Sequence, residues 1–290
     1  VCGAGEKPPS NRVRPHLSPG RTPWPIGTYL GRRSFILTRR SPRMHYARFR
    51  DPAGSVREGR YDPETETVAF GDDEYAFDDP TIDVLPPVDP SKIVCVGRNY
   101  ADHAAEMDNE VPDRPLLFLK PPNTLAGHGD TVTVPAGKDR VDWEAELAVV
   151  IGEPCKHVDA ADAMDVVAGF TCMNDVSNRD DQNREQNWVR GKAFDNAAPL
   201  GPGVATPDEV PADAAVEIRV DGETKQSGDR SQLMFDVPTL IEEITTYLTL
   251  EAGDVIATGT PDGVGPLSDG DTVAVSVEGV GTLEHDVRVP

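Results

Sequence analysis

Asp142-Trp143-Glu144-Ala145-Glu146-Leu147-Ala148-Val149-Val150-Ile151-Gly152 is the stretch whose reading decides the fold. A short apolar run rich in β-branched residues and closed by a turn glycine suits a buried strand rather than a helix. On a strand, residues two apart share a face. Glu144 and Glu146 then project together, with Ala148 and Val150 further along that face, while Trp143, Ala145 and Leu147 face the other way. Carboxylates so placed are about 7 Å apart and repel unless something positive sits between them. A hard divalent cation, Mg2+ or Mn2+, meets that need because it takes oxygen ligands. A solvated face carrying two ordinary acids, common in so acidic a chain, is the alternative, and spacing alone leaves both readings open.

Working outward, residues 167–173 read as a strand that ends in Asn174-Asp175-Val176-Ser177, so Asp175 is a candidate third oxygen ligand. Residues 93–96 form an apolar strand before Gly97, and 255–257 form another before a Gly-rich loop. Val216, Ile218 and Val220 alternate with Glu217, Arg219 and Asp221; Val273, Val275 and Val277 repeat the pattern, and a last strand is expected at 283–289. Helices are few. Leu240, Ile241, Ile244, Tyr247 and Leu248 fall on one helical stripe, with Asp236 as cap and Pro238 in the first turn. Asp159 is expected to cap a second, shorter helix through Asp165. Val68 and Phe70, the turn Gly71-Asp72-Asp73, then Tyr75 and Phe77 give a hairpin signal, and Leu85-Pro86-Pro87-Val88-Asp89-Pro90 reads as a linker. The expected organisation is a β-rich α+β chain. Residues 1–43 form a disordered or non-native extension ahead of Met44, 44–90 a small N-terminal β module with its linker, and 91–290 the dominant domain.

Composition narrows the function. The 290 residues carry a net charge of −22, and 26 Gly with 27 Pro favour short strands joined by turns. Residues 1–43 hold Lys7 and eight Arg against Glu6, which leaves −30 on the remaining 247. Such a surface repels the phosphate backbone of nucleic acid, and no apolar run approaches a membrane span. It stays hydrated where salt screens charge strongly, which fits a salt-rich cytoplasm. Cys2, Cys95, Cys155 and Cys172 are far apart with no CxxC pair, so neither a zinc site nor a disulfide framework is expected.

Further residues could carry chemistry. In Gly97-Arg98-Asn99-Tyr100-Ala101-Asp102-His103-Ala104-Ala105-Glu106-Met107, Asn99 with Asp102 resembles a capping box. His103 and Glu106 then share a helix face, where a carboxylate raises an imidazole's basicity and suits it to general-base work on water; an incidental surface contact is the alternative. Arg179, Gln182 and Lys192 follow Asp175 in a polar segment that either holds an anionic substrate or is simply a surface loop. The loop Thr258-Gly259-Thr260-Pro261-Asp262-Gly263-Val264-Gly265 offers backbone N–H groups and hydroxyls to an anion. It has neither the Walker lysine nor the dinucleotide spacing.

Taken together, GRNYADHAAE (97–106), FLKPP (118–122), WEAELAVVIG (143–152), AGFTCMNDVSNRD (168–180), GKAFD (191–195) and GDVIATGTPDGVG (253–265) resemble the landmarks of the fumarylacetoacetate hydrolase family. The resemblance covers about two thirds of the chain, from Lys92 onward. It implies a mixed β-roll catalytic core, usually in a homodimer. It implies Mg2+ or Mn2+, with Ca2+ able to stand in for either in crystals, held by Glu144, Glu146 and Asp175. It implies His103 and Glu106 as a lid dyad that activates water or shuttles protons, and Arg179, Gln182, Lys192 and Thr260 around a small carboxylate substrate with a pyruvoyl-type head, Lys192 also as a catalytic group. Members of the family include acylpyruvate hydrolases, oxaloacetate decarboxylases or tautomerases and isomerases of hydroxy-dienedioates. A non-catalytic β-protein that uses the acids to hold Ca2+ is the competing class.

Overall fold

The strand Ala145–Ile151 is buried at every residue because it lies inside a sheet covered on both faces. It pairs antiparallel with Val167–Asn174, Leu147 opposite Cys172, and on its other side with Val255–Ala257, Val149 opposite Ile256. The structure, a computed structural model, describes residues 44–100 and 113–290. Within these residues the sheet has twelve strands. From Val255–Ala257 it continues through Ile93–Gly97, paired parallel, to an edge at Leu116–Lys120. In the other direction it passes through Ala198–Ala205 to His45–Arg50, Val56–Asp62 and the hairpin of Thr67–Phe70 with Asp73–Ala76.

A second sheet of five strands orders Glu223–Asp229, Ala215–Val220, Thr272–Val277, Gly281–Arg288 and Thr131–Thr133. The alternation of Val216, Ile218 and Val220, and of Val273, Val275 and Val277, places these side chains in the main core. There they join Leu147, Val149, Phe170 and Cys172 from the large sheet. The helix Val237–Tyr247 adds Leu240, Ile241 and Ile244, all fully buried. Its start is as expected: the Asp236 carboxylate accepts from the Thr239 N–H at 3.0 Å, and Pro238 occupies the first turn.

Several local expectations need correction. Tyr247 does not share the buried stripe; it is 59% exposed, and its hydroxyl accepts a hydrogen bond from Arg114 at 3.1 Å. Asp159 makes no side-chain cap. The segment after it, Ala160–Val166, is a 3-10 helix, and the Ala160 N–H at its start is met by the Glu242 carboxylate from the neighbouring helix. The expected strand 142–152 is broken at Glu144, which lies between Val141–Trp143 and Ala145–Ile151. Val141–Trp143 instead pairs with Ser177–Asn178 and Gly265–Pro266 in a three-stranded sheet.

The strands between residues 44 and 90 have an aromatic cluster of their own, with Phe49, Tyr61 and Val68 buried and Phe77 stacked on Tyr61 at 4.9 Å between ring centres. Their first strand nonetheless pairs with Ala198–Ala205, His45 opposite Ala205, so the large sheet runs through without interruption. Cys95, Cys155 and Cys172 are free and buried. Among the described residues no helix is long and apolar enough to cross a membrane.

Where Val167–Asn174 crosses Ala198–Ala205, the two backbones approach closely at Gly169. A Cβ there would lie 2.1 Å from the Ala205 carbonyl oxygen and 2.6 Å from Val204 Cγ1. Gly169→Ala is therefore expected to lower stability by at least about 1–3 kcal/mol through overpacking, read as a lower urea midpoint with an unchanged slope.

Candidate metal centre and active site

The break at Glu144 builds the centre. Free of the strand ladder, the Glu144 N–H donates to Asn174 Oδ1 at 2.9 Å and its carbonyl accepts from the Asp175 N–H at 2.9 Å. These two bonds hold the backbone of Glu144 beside the end of Val167–Asn174, where Asp175 follows. One carboxylate oxygen from each of Glu144, Glu146 and Asp175 then lies within 4.8 Å of the others. The three residues are 4%, 2% and 1% exposed, which excludes the solvated-face reading. Burial, reinforced by the like charges of Asp175 and Glu144, holds the Glu146 carboxyl well above the usual carboxylate range. A hydrogen bond from the Gly259 N–H at 2.8 Å opposes that shift. Gly259 can approach so closely because it has φ +101° and no Cβ; one would lie 2.8 Å from Asn99 Cβ.

Buried cations offset the acids. Lys192 Nζ donates to Glu144 Oε2 at 2.7 Å, Asp175 Oδ2 at 2.8 Å and Ser177 Oγ at 2.5 Å. Burial lowers the pKa of this ammonium, but the Asp175 and Glu144 carboxylates outweigh it, and the net shift is above the ordinary lysine value. Arg179 donates from Nε to Asp142 Oδ2 at 2.8 Å, from one terminal nitrogen to Gln182 Oε1 at 2.8 Å and from the other to Glu144 Oε1 at 2.6 Å. Lys120, fully buried, donates to the carbonyls of Ala197 and Val176 and lies 2.8 Å from Asp175 Oδ1. That oxygen is in an ion pair yet accepts no well-directed hydrogen bond. A buried oxygen left in this state, within a cluster of three carboxylates, fits a hard divalent cation.

The centre opens into a cavity of about 330 Å³ whose walls include Arg98, Phe118, Gln182, Trp188, Lys192 and Thr260. Phe118 and Trp188 meet edge to face at 5.4 Å. Thr260 Oγ1 accepts from Gln226 Nε2 at 3.0 Å, and Gln226 Oε1 in turn accepts from the Ala145 N–H, so one amide ties the Gly-rich loop to the ligand strand. Of the residues singled out from sequence, Glu144, Glu146, Asp175, Arg179, Gln182, Lys192 and Thr260 all line this one cavity. His103 and Glu106 lie outside the described residues, in 101–112. Just before them, the Asn99 side chain is bonded to both backbone groups of Phe235 and to the Thr258 carbonyl.

Residue-by-residue reading missed Asp142, Asn174, Lys120, Ser177 and Gln226. Only Lys120 left a signal: a lone lysine closing the apolar run Leu116–Lys120.

Comparison with known proteins agrees with this geometry. The family model described as Fumarylacetoacetate (FAA) hydrolase C-terminal matches residues 92–288. An uncharacterized protein of Archaeoglobus fulgidus is 45% identical over 80% of this chain and 92% of its own length. Oxaloacetate tautomerase YisK of Bacillus subtilis is 42% identical over 68% of this chain and 70% of its own. The crystal structure of 2-hydroxyhepta-2,4-diene-1,7-dioate isomerase from Mycobacterium marinum superposes with a TM-score of 0.76 at 37% identity, covering 85% of this chain and 98% of that one. That of 5-carboxymethyl-2-hydroxymuconate delta-isomerase from Mycobacterium smegmatis gives 0.75 at 39% identity, covering 85% and 100%. With the family model spanning more than half of the chain, and the buried acids and their cations lining one cavity, this protein belongs to the fumarylacetoacetate hydrolase family of enzymes.

Proposed function

We propose that this chain is a divalent-metal-dependent hydrolase or isomerase acting on a small 2-oxo or 2-hydroxy-dienoic acid, of the acylpyruvate or hydroxy-dienedioate class. The observation that carries the reading is the convergence of Glu144, Glu146 and Asp175 on one buried point, with Lys192 bonded to two of the three. These carboxylates would hold Mg2+ or Mn2+, which supplies a Lewis acid for the adjacent oxygens of a 2-oxo acid and for enolate charge.

The chain's own residues supply the rest. Asp142, Glu144, Glu146 and Asp175 face the buried cations Lys120, Arg179 and Lys192. Four acids against three bases leave one net negative charge when all are ionised, and a divalent ion makes the site positive enough to select a carboxylate ligand. Lys192 keeps its proton and serves at Nζ as a fixed positive charge beside the reacting head. Arg179 holds Glu144 in place while Gln182 and Thr260 face the cavity. His103, supported by Glu106, takes a proton from water in hydrolysis or from carbon in isomerisation. A second reading, oxaloacetate tautomerisation on the same residues, is favoured by the name of the Bacillus subtilis relative. The same proposal takes the enzyme to be cytoplasmic, in a salt-rich interior that the charge of −22 supports, and homodimeric, as the family resemblance implies.

The deciding experiment is purified protein with Mg2+ or Mn2+, at high and low KCl, against acylpyruvates, oxaloacetate and hydroxy-dienedioates. Turnover of one series, lost on chelation, is expected and identifies the branch. Silence on all three with the metal shown to be bound sinks the assignment. In the same assay His103→Ala is expected to lose about a hundredfold or more of the rate, with much less change in metal affinity. Equal loss of both would make His103 a ligand or a packing residue.

The Glu146 carboxyl, held above its unfolded-state value, makes the metal-free fold bind more protons than the unfolded chain, so stability falls as pH rises through that window. Glu146→Gln removes this cost. At pH 8 in chelator the variant is expected to melt at or above the wild type. Adding Mn2+ should then stabilise only the wild type, by about 2.7 kcal/mol at a hundredfold excess over the dissociation constant. A variant that responds to Mn2+ as the wild type does would remove Glu146 from the ligand set.

A further inference from the structure

His285 is 1% exposed, sits on Gly281–Arg288 in the five-stranded sheet and is not among the residues that line the cavity. Its Nε2 lies 2.9 Å from Asn174 Nδ2, and its Nδ1 lies 3.3 Å from the Asp286 carbonyl oxygen. Hydrogen-bond polarity settles every proton in this chain of contacts. The Glu144 N–H can only donate, so the Asn174 atom facing it is Oδ1. The amide nitrogen of Asn174 therefore faces His285, and it too can only donate. His285 Nε2 must then be a bare acceptor, with the imidazole proton on Nδ1 pointing at the Asp286 carbonyl. Burial independently favours the neutral ring, lowering its pKa to about 4.

We infer that His285 is a positioning residue of the metal centre: its bare Nε2 fixes the Asn174 amide, and that amide fixes the backbone of Glu144 at the strand break. Without the acceptor, the buried Asn174 NH2 is left unsatisfied. The amide plane then loses the contact that holds its Oδ1 under the Glu144 N–H, at the point that aims the Glu144 carboxylate. The inference rests on Glu144 being a metal ligand, as proposed above. It is a contact of the kind that orients ligands without touching the ion.

The test uses Mn2+ alone as probe, with the free ion followed by electron paramagnetic resonance, on the full chain and two variants. His285→Leu fills similar space without an acceptor, whereas His285→Gln keeps a carbonyl acceptor within reach of Asn174. The Leu variant is expected to weaken Mn2+ binding about tenfold or more, and the Gln variant to stay near the wild type. A role in packing alone would not sort the two by acceptor. Unchanged binding in the Leu variant, or equal loss in both, overturns the inference while leaving the metal reading intact. No Mn2+ binding by the wild type overturns both. Should the Leu variant fail to fold, the long-range 1H–15N spectrum of the wild-type imidazole decides: a bare Nε2 with protonated Nδ1 supports the inference, and a protonated Nε2 overturns it.

Discussion

Mutual repulsion among buried carboxylates is the constraint on which this structure turns. Glu144, Glu146 and Asp175 converge where water is excluded, and Asp142 lies close behind through Arg179. Such a cluster can persist only with cations buried beside it, because an unpaired charge in that setting costs several kcal/mol. Lys192, Arg179 and Lys120 come from three separate segments, so the fold must close before the acids become tolerable. The charge that makes the centre chemically useful is thus also a condition on how the chain packs. Outside, the protein remains strongly acidic; inside, charges are nearly matched.

What the sequence made legible follows from range. Period-two alternation placed Val216–Ile218–Val220 and Val273–Val275–Val277 correctly, because each strand announces its own buried face. Asp236 and Pro238 announced a helix start by local chemistry alone. Glu144 and Glu146 were visible as an anomaly on an apolar strand, and Asp175 as an acid at a strand end. The break at Glu144 was not visible, since it depends on Asn174 thirty residues away. Gln226 and His285 were silent for the same reason: each acts through a partner that only the closed fold brings near. Tyr247 misled because a helical stripe predicts which face is apolar but not where the covering neighbour ends.

The site is assembled from the centre and one edge of the large sheet and from the smaller sheets. Ligands sit on or beside its central strands, Lys120 comes from one edge, and Gln226 reaches in from the five-stranded sheet. This distribution separates duties. The centre supplies rigid donors, while the cavity walls at Arg98, Trp188 and the Gly-rich loop are loop residues, where substrate preference can vary without disturbing the acids.

Among the described residues the strand Leu116–Lys120 closes the sheet with a neighbour on one side only, and Leu119 on it is 51% exposed. Outermost strands open more readily than central ones. Here that strand carries Lys120, whose ammonium compensates Asp175 in the interior. Peeling it away would uncover a buried anion as well as a row of amides. Opening at the rim and the electrostatic state of the centre are therefore one linked equilibrium, and the slow exchange of amide hydrogens along this edge becomes a remote gauge of what occupies the carboxylates.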